Sequence, residues 1–142
     1  MGHGKLFRYY EKQSILPTFA DLRDDASLAR YAEGRNRLFS DKLLLPPRIF
    51  RNAEMIEFGP DSGENALVFA RWGAHTTLVE PNEKAHGYIR TYFERFGLSD
   101  SLHDIVAADV EGFAQAEGAH PVPVAEFIDA EGFIYTIQPT DR

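Results

Sequence analysis

The amino-acid sequence predicts an α/β protein built on a parallel sheet. After Pro46-Pro47, short apolar or β-branched runs alternate with stretches of helical periodicity, and the runs end in glycine or acidic residues. Strands and helices that alternate at this spacing are joined by crossover connections, which make the strands parallel. The length of 142 residues, with 44% hydrophobic and 26% charged side chains, fits a chain that folds around one core.

Residues 1–47 are predicted to form an N-terminal helical cap. Apolar residues recur there at three- and four-residue steps in two groups: Leu6, Phe7 and Tyr10, then Leu28, Tyr31, Ala32 and Leu38. Ser27 is the predicted N-cap of the second helix. We expect the connection between the two helices at Pro17 and at three acidic residues: Asp21, Asp24 and Asp25.

Residues 48–142 hold about four predicted strands. We place these strands at residues 53–58, 76–79, 105–108 and 125–130. One helix is predicted from Glu64 to Trp72 and ends at Gly73. A second helix has Asn82 as its cap, ends at Gly97, and carries an apolar stripe: Ala85, Ile89, Tyr92, Phe93 and Phe96.

The carboxyl ends of parallel strands meet at one edge of a sheet, where α/β proteins bind their ligands. The conspicuous polar groups of this sequence fall at the predicted strand ends, at residues 57–63, 80–82, 109–110 and 129–132. Glu80 also follows Gly59 at about 20 residues, which is the spacing of an acid that binds a ribose. The sequence therefore predicts a ligand site at this edge.

The loop after the first strand, Gly59-Pro60-Asp61-Ser62-Gly63-Glu64, indicates the kind of ligand. A dinucleotide fingerprint G-x-G-x-x-G that starts at Gly59 needs glycine where Asp61 and Glu64 stand. Two carboxylates oppose the charge of a pyrophosphate, whereas S-adenosylmethionine carries a sulfonium and an ammonium group. The loop therefore favours S-adenosylmethionine. In the alternative interpretation, Asp61 and Glu64 only cap the helix and complement its dipole.

Four segments in order resemble the motifs of class I S-adenosylmethionine-dependent methyltransferases. MIEFGPDSG at 55–63 resembles the first motif, an apolar strand followed by E/D-x-G-x-G-x-G, with Asp61 in place of the middle glycine. LVEP at 78–81 resembles the second motif, ADV at 108–110 the third, and FIDAEG at 127–132 the strand that ends beside the transferred methyl group. The resemblance implies a Rossmann-like three-layer sandwich, here with an incomplete sheet and preceded by N-terminal helices.

The resemblance implies roles around the methionine part of the cofactor. Gly59 and Gly63 would let the backbone approach it, and Glu57 would anchor the network around its amino group. Asp61 would either point outward or contact the ammonium group. Two acids at the end of the fourth strand would orient the methionine or the methyl acceptor, or serve only as turn residues: Asp129 and Glu131.

The resemblance also implies roles around the nucleoside part. Glu80 would accept hydrogen bonds from both ribose hydroxyls, and Pro81 and Asn82 would lie along the adenine. Asp109 would accept from the exocyclic amine of adenine, and the Val110 N–H would bind a ring nitrogen. Asp109 has a structural alternative as the cap of a helix.

Composition and spacing exclude several other kinds of site. The sequence has no cysteine, which rules out a disulfide, a thiolate nucleophile and a cysteine metal site. The histidines lack metal-ligand spacing, and Ser62 lies outside a G-x-S-x-G motif, so we expect neither a metal site nor a nucleophile elbow. The net charge of −7 disfavours nucleic acid as a partner, and the apolar runs are too short to span a membrane. We expect a cytoplasmic protein without a membrane partner.

The sequence does not identify catalytic residues or the methyl acceptor, which we expect to be a small molecule. A complete class I enzyme has more strands, so we expect the chain to be truncated and to carry mainly the cofactor-binding half. The alternatives are a non-catalytic Rossmann-like module and a nucleotide- or NAD-binding domain. An exposed strand at the sheet edge would allow two chains to pair as a homodimer. The basic segment from Arg30 to Arg51 is interpreted as a solvated helix face and linker, or as a surface that attracts an anionic acceptor.

Overall fold

The computed structural model describes residues 21–116 and 125–130. The helices are α1 (Asp25–Arg37), α2 (Glu64–Arg71), α3 (Glu83–Arg95) and α4 (Val110–Gln115). The strands are β1 (Glu54–Phe58), β2 (His75–Val79), β3 (Leu102–Val106) and β4 (Phe127–Asp129). A π-helical turn covers Leu38–Lys42, and short 3-10 helices cover Pro47–Phe50 and Ser99–Ser101. The alternation of strands and helices after Pro47 confirms the predicted α/β class.

The four strands form one parallel sheet in the order β3-β2-β1-β4. Phe58 of β1 lies opposite Val79 of β2, and Glu57 of β1 lies opposite Asp129 of β4. Val79 in turn lies opposite Val106 of β3. Because all the pairings are parallel, the carboxyl ends of the strands meet at a single edge, which we call the carboxyl edge.

Helices α1, α2 and α3 cover one face of the sheet. Their apolar side chains share a core with Leu78 of β2 and Ile105 of β3. The stripe predicted for α3 is buried in this core at four positions: Ala85, Ile89, Tyr92 and Phe93. The Tyr31 hydroxyl of α1 also donates a hydrogen bond to Asn65 Oδ1 of α2 at 2.9 Å. The helices before and after β1 therefore form one layer.

The opposite face of the sheet is covered by α4. Ile56, Val79 and Val106 project from this face, and Phe113 of α4 packs against them. The ring of Phe113 meets the ring of Phe58 edge to face, with 5.5 Å between their centroids. The arrangement of helices, sheet and helix confirms the Rossmann-like three-layer class with an incomplete sheet.

A second core joins the segment before β1 to the sheet. We call it the aromatic cluster, and its five rings are Phe39, Phe50, Phe69, Trp72 and Phe127. Phe50 is 1% exposed, and its ring centroid lies 4.8 Å from that of Phe127 and 5.1 Å from that of Phe69. Burial of such large rings fixes the 3-10 helix Pro47–Phe50 against the sheet.

The predicted N-cap of α1, Ser27, is wrong, because Asp24 occupies that position. Asp24 Oδ1 accepts from the Ser27 N–H at 2.8 Å, and Ser27 Oγ accepts from the Asp24 N–H at 3.0 Å. This reciprocal pair is a capping box, and both residue types are good caps, so the sequence pattern alone fits either. The predicted stripe is also too long, since Leu38 lies in the π-helical turn and is exposed.

Other predictions differ from the structure or lie outside it. The helix α4 after β3 was missed, and β3 itself starts three residues before the predicted Ile105. The predicted first helix at Leu6–Tyr10 and its connection at Pro17 lie outside the described residues. The domain boundary after residue 47 stays a prediction, and α1 shares its core with α2 and α3.

Candidate functional site

The loop between β1 and α2 has a left-handed backbone at every second residue. The φ angles are 68° at Gly59, 53° at Asp61 and 89° at Gly63. Glycine adopts this conformation without strain, and aspartate is among the few other residues that tolerate it. Asp61 therefore keeps the backbone path of the glycine that it replaces in the motif, and it adds a carboxyl group.

Gly63 has a structural requirement of its own. It is the N-cap of α2, and its N–H donates to the Pro60 carbonyl at 2.8 Å. A Cβ at Gly63 would lie only 2.9 Å from Cγ1 of Ile89 in α3. The absence of a side chain thus allows the start of α2 to pack closely on α3.

Ser62 and Glu64 form a buried pair at the start of α2. Both residues are at most 2% exposed, and the Ser62 hydroxyl lies 2.6 Å from each oxygen of the Glu64 carboxyl group. Glu64 is the first residue of α2, where a negative charge complements the helix dipole. Gly63 and not Glu64 is the N-cap of α2, and sequence reasoning missed the hydrogen bond from Ser62 to Glu64.

Glu80 follows β2 and is a buried acid of the carboxyl edge, with only 5% of its surface exposed. Burial raises the pKa of Glu80 from its ordinary value of 4.5 to about 7. The Asn82 N–H donates to Oε1 at 2.8 Å and lowers the pKa, the Asp61 carboxylate raises it, and the Asp61 N–H lowers it again. The backbone of the β1–α2 loop therefore holds the Glu80 carboxyl group at the end of β2.

Pro81 and Asn82 form the turn between β2 and α3. Asn82 is the N-cap of α3, as predicted, and its Oδ1 accepts from the Lys84 N–H at 3.1 Å. The Nε2 atom of His86 lies 2.8 Å from the Glu80 carbonyl oxygen, which fixes the first turn of α3 against the end of β2. Pro81 and Asn82 are half-buried beside Glu80.

Asp109 and Val110 follow β3 at the start of α4. Asp109 is the N-cap of this helix, and its Oδ1 accepts from the Gly112 N–H at 2.7 Å. One oxygen of the Asp109 carboxyl group therefore caps α4, as the structural alternative for this residue predicted. Val110 is the first residue of α4, so its N–H belongs to the amides that have no partner within the helix.

Glu57 and Asp129 stand side by side at the carboxyl edge. They are partners in the β1–β4 register, and Glu57 is 4% exposed. Glu57 is the next-to-last residue of β1 and Asp129 is the last residue of β4. Glu131, the other acid predicted there, lies outside the described residues.

Backbone hydrogen bonds close the carboxyl edge and bring most of the predicted residues together. The Gly59 N–H donates to the Val79 carbonyl and the Glu80 N–H donates to the Val106 carbonyl, both at 3.0 Å. These bonds continue the sheet beyond its last strand residues, so the acid after β2 lies between the loops that follow β1 and β3. Over residues 21–116 and 125–130, no group of three or more histidines and acids is arranged to hold a metal ion.

Comparison with known proteins identifies the family of this chain. The model of the methyltransferase domain family matches residues 29–141. The chain belongs to the methyltransferase domain family. No curated protein matches it. Within the described part of this methyltransferase domain, no helix has the length and apolar character to cross a membrane.

The methyltransferase domain is similar in fold to solved structures. The C-terminal domain of precorrin-6Y C5,15-methyltransferase from Rhodobacter capsulatus has a TM-score of 0.51 and 16% identity, over 82% of this chain and 53% of that one. The O-methyltransferase of tomaymycin synthesis from Streptomyces achromogenes, solved in complex with S-adenosylmethionine, has a TM-score of 0.51 and 10% identity, over 88% and 59%. The domain thus spans between 53% and 59% of the length of these two structures.

Proposed function

We propose that the carboxyl edge binds S-adenosylmethionine and that the domain serves in methyl transfer to a small-molecule acceptor. The observation that carries the proposal is the position of Glu80. Its buried carboxyl group is held by the backbone of Asp61, within a loop whose alternate residues have left-handed φ angles. Family membership supports the same assignment.

The residues of the edge fit the nucleoside of S-adenosylmethionine. An ionised Glu80 offers two acceptor oxygens, which suits the two neighbouring hydroxyls of a ribose. Pro81 and Asn82 adjoin Glu80 on one side of the adenine position that we propose. On the other side, the Val110 N–H would bind a ring nitrogen, and Asp109 would contact the exocyclic amine with the carboxyl oxygen that does not cap α4.

The charges of the edge fit the methionine part. Glu57 and Asp129 adjoin on neighbouring strands, and Asp61 stands in the loop that follows β1. Carboxylates favour a ligand that carries a sulfonium and an ammonium group, and they disfavour the pyrophosphate of NAD. The cofactor would supply an electrophilic methyl group, and the residues of this chain would bind it and orient it toward the acceptor.

Isothermal titration calorimetry with S-adenosylmethionine and with S-adenosylhomocysteine tests the proposal. We expect the Glu80→Ala variant to bind about tenfold to a hundredfold more weakly, since a hydrogen bond to a charged group is worth about 1.5–3 kcal/mol. The exposed Glu94 of α3 provides the control, and Glu94→Ala should bind as the wild type does. The absence of heat at millimolar ligand, or heat with NAD alone, would refute cofactor binding.

In the non-catalytic alternative, the domain binds the cofactor without turning it over. Formation of S-adenosylhomocysteine with a panel of small alcohols, amines and thiols would support catalysis, whereas binding without turnover would support the module. A cytoplasmic location and pairing of two chains through β4 remain part of the proposal.

A further inference from the structure

An exposed apolar segment lies between α1 and β1, on the opposite side of the fold from the carboxyl edge. Of the six exposed large apolar residues in the described part of the chain, four lie between Leu38 and Leu45. We call residues Leu43–Leu45 the leucine tip. Leu44 is its most exposed member, at 78%. Single exposed leucines are common, but three in a row are not explained by folding.

The leucine tip is held in place by the fold. The Leu43 N–H donates to the Leu38 carbonyl at 3.2 Å, and the Leu45 N–H donates to the Phe39 carbonyl at 2.8 Å. Phe39 is packed in the aromatic cluster, where its ring centroid lies 5.4 Å from that of Phe69. Leu44 has a φ angle of 56°, which is unfavourable for leucine and is fixed by these flanking contacts. The fold therefore presents Leu44 to solvent in a defined conformation.

The segment that contains the leucine tip is rich in basic residues. Residues 30–51 contain six basic residues and two acidic ones, although the whole chain has a net charge of −7. Arg37 forms an exposed ion pair with Glu33 of α1. One exposed acid, Asp41, and three exposed cations flank the tip along the chain, and the cations are Lys42, Arg48 and Arg51. Apolar side chains with basic residues beside them are typical of segments that bind the interfacial region of an anionic bilayer.

We propose that the leucine tip inserts into the surface of an anionic lipid bilayer. A convex tip needs no preformed pocket in a bilayer, whereas a protein partner would have to provide an apolar pocket with an acidic rim. A second copy that meets the tip across a two-fold axis would place cations against cations, which opposes association. Phe39, which holds the tip, contacts Trp72, the residue that follows α2. This contact lies near the amino ends of the strands. Membrane docking therefore leaves the carboxyl edge accessible.

Sedimentation with unilamellar vesicles tests this inference independently of cofactor binding. We expect binding to phosphatidylcholine vesicles that contain about one third phosphatidylglycerol, little binding to pure phosphatidylcholine, and weaker binding as salt is raised. The Leu44→Asp variant should bind anionic vesicles at least about tenfold more weakly, because it removes the inserted side chain and adds a negative charge. Aspartate tolerates the positive φ angle of this position, and far-UV circular dichroism should show an unchanged fold.

The Tyr88→Glu variant is the matched control. Tyr88 is 54% exposed on α3, and its replacement also removes an exposed apolar side chain and adds one negative charge. We expect it to bind anionic vesicles within about twofold of the wild type. Three results would overturn the proposal: no preference of the wild type for anionic vesicles, equal binding by Leu44→Asp and Tyr88→Glu, or a soluble dimer that Leu44→Asp dissociates while vesicle binding is absent.

Discussion

Replacing Glu80 by glutamine should stabilise the fold at alkaline pH and leave its stability nearly unchanged at acidic pH. In the folded chain, burial raises the pKa of Glu80 from 4.5 to about 7. Glutamine has nearly the same shape, and its amide oxygen can accept the hydrogen bond that the Asn82 N–H donates to Oε1. The substitution therefore removes the cost of ionising the side chain and keeps this backbone partner.

The sign of the effect follows from the number of protons bound in each state. Between the unfolded and folded pKa values of Glu80, the folded chain holds a proton that the unfolded chain has lost, so the free energy of unfolding falls as pH rises. Below this window both states are protonated, and above it both are ionised. At about 1.4 kcal/mol for each pKa unit, the loss from pKa 4.5 to about 7 reaches about 3 kcal/mol.

Urea unfolding followed by circular dichroism, at about pH 5 and about pH 8, measures this effect. At the higher pH the free energy of unfolding of Glu80→Gln should exceed that of the wild type by up to about 3 kcal/mol. At the lower pH the difference should be under about 1 kcal/mol. Glu94→Gln, at an exposed position of α3, should stay within about 0.5 kcal/mol of the wild type at both values. A gain that is equal at both pH values would refute the reasoning.

Two further predictions concern the β1–α2 loop. Asp61→Asn removes the carboxylate that raises the pKa of Glu80 and keeps a residue that tolerates a φ angle of 53°. In a urea series from about pH 5 to about pH 8, the decline in stability should therefore end at a lower pH and be smaller than in the wild type. An unchanged pH profile would contradict the Asp61–Glu80 coupling. Gly63→Ala should destabilise the fold by about 1–3 kcal/mol in the same assay, because its Cβ would lie 2.9 Å from Ile89 at a φ angle of 89°. The control is Gly87→Ala, because Gly87 lies within α3 and has open space around it. This substitution should stabilise the fold by about 0.5–1 kcal/mol. Equal effects of the two alanines would show that the close packing of α2 on α3 does not cause the destabilisation by Gly63→Ala.

Strands β1 and β2 could be predicted from the sequence because their side chains leave few alternatives. The segments around Ile56 and Leu78 are short, apolar or β-branched, and bounded by turn residues, as expected for strands buried on both faces. Helix α4 could not be predicted in this way. It has six residues and contains Gly112, so it shows neither helical periodicity nor high helix propensity. Its useful signal was Asp109, a good N-cap residue directly after a strand.

In the candidate site, too, the sequence pattern predicts the loop but not the contacts that depend on packing. The sequence predicted a close backbone approach at Gly59 and Gly63, and the structure has left-handed φ angles at both, as well as at Asp61. The sequence could not show that Ser62 binds Glu64, because that hydrogen bond depends on burial of both side chains at the start of α2. Nor could it give the pKa of Glu80, which results mainly from burial of the carboxyl group in the folded chain.

The cost of ionising Glu80 distinguishes a ligand role from a structural role. Glutamine at this position can accept the hydrogen bond from the Asn82 N–H without a charge, so this contact has no need of a carboxylate. A ribose with two neighbouring hydroxyls does benefit from the ionised group. In Glu80→Gln, stability at about pH 8 should therefore rise while affinity for S-adenosylmethionine falls by about tenfold. If Glu80 served only the structure, the substitution would leave the affinity unchanged.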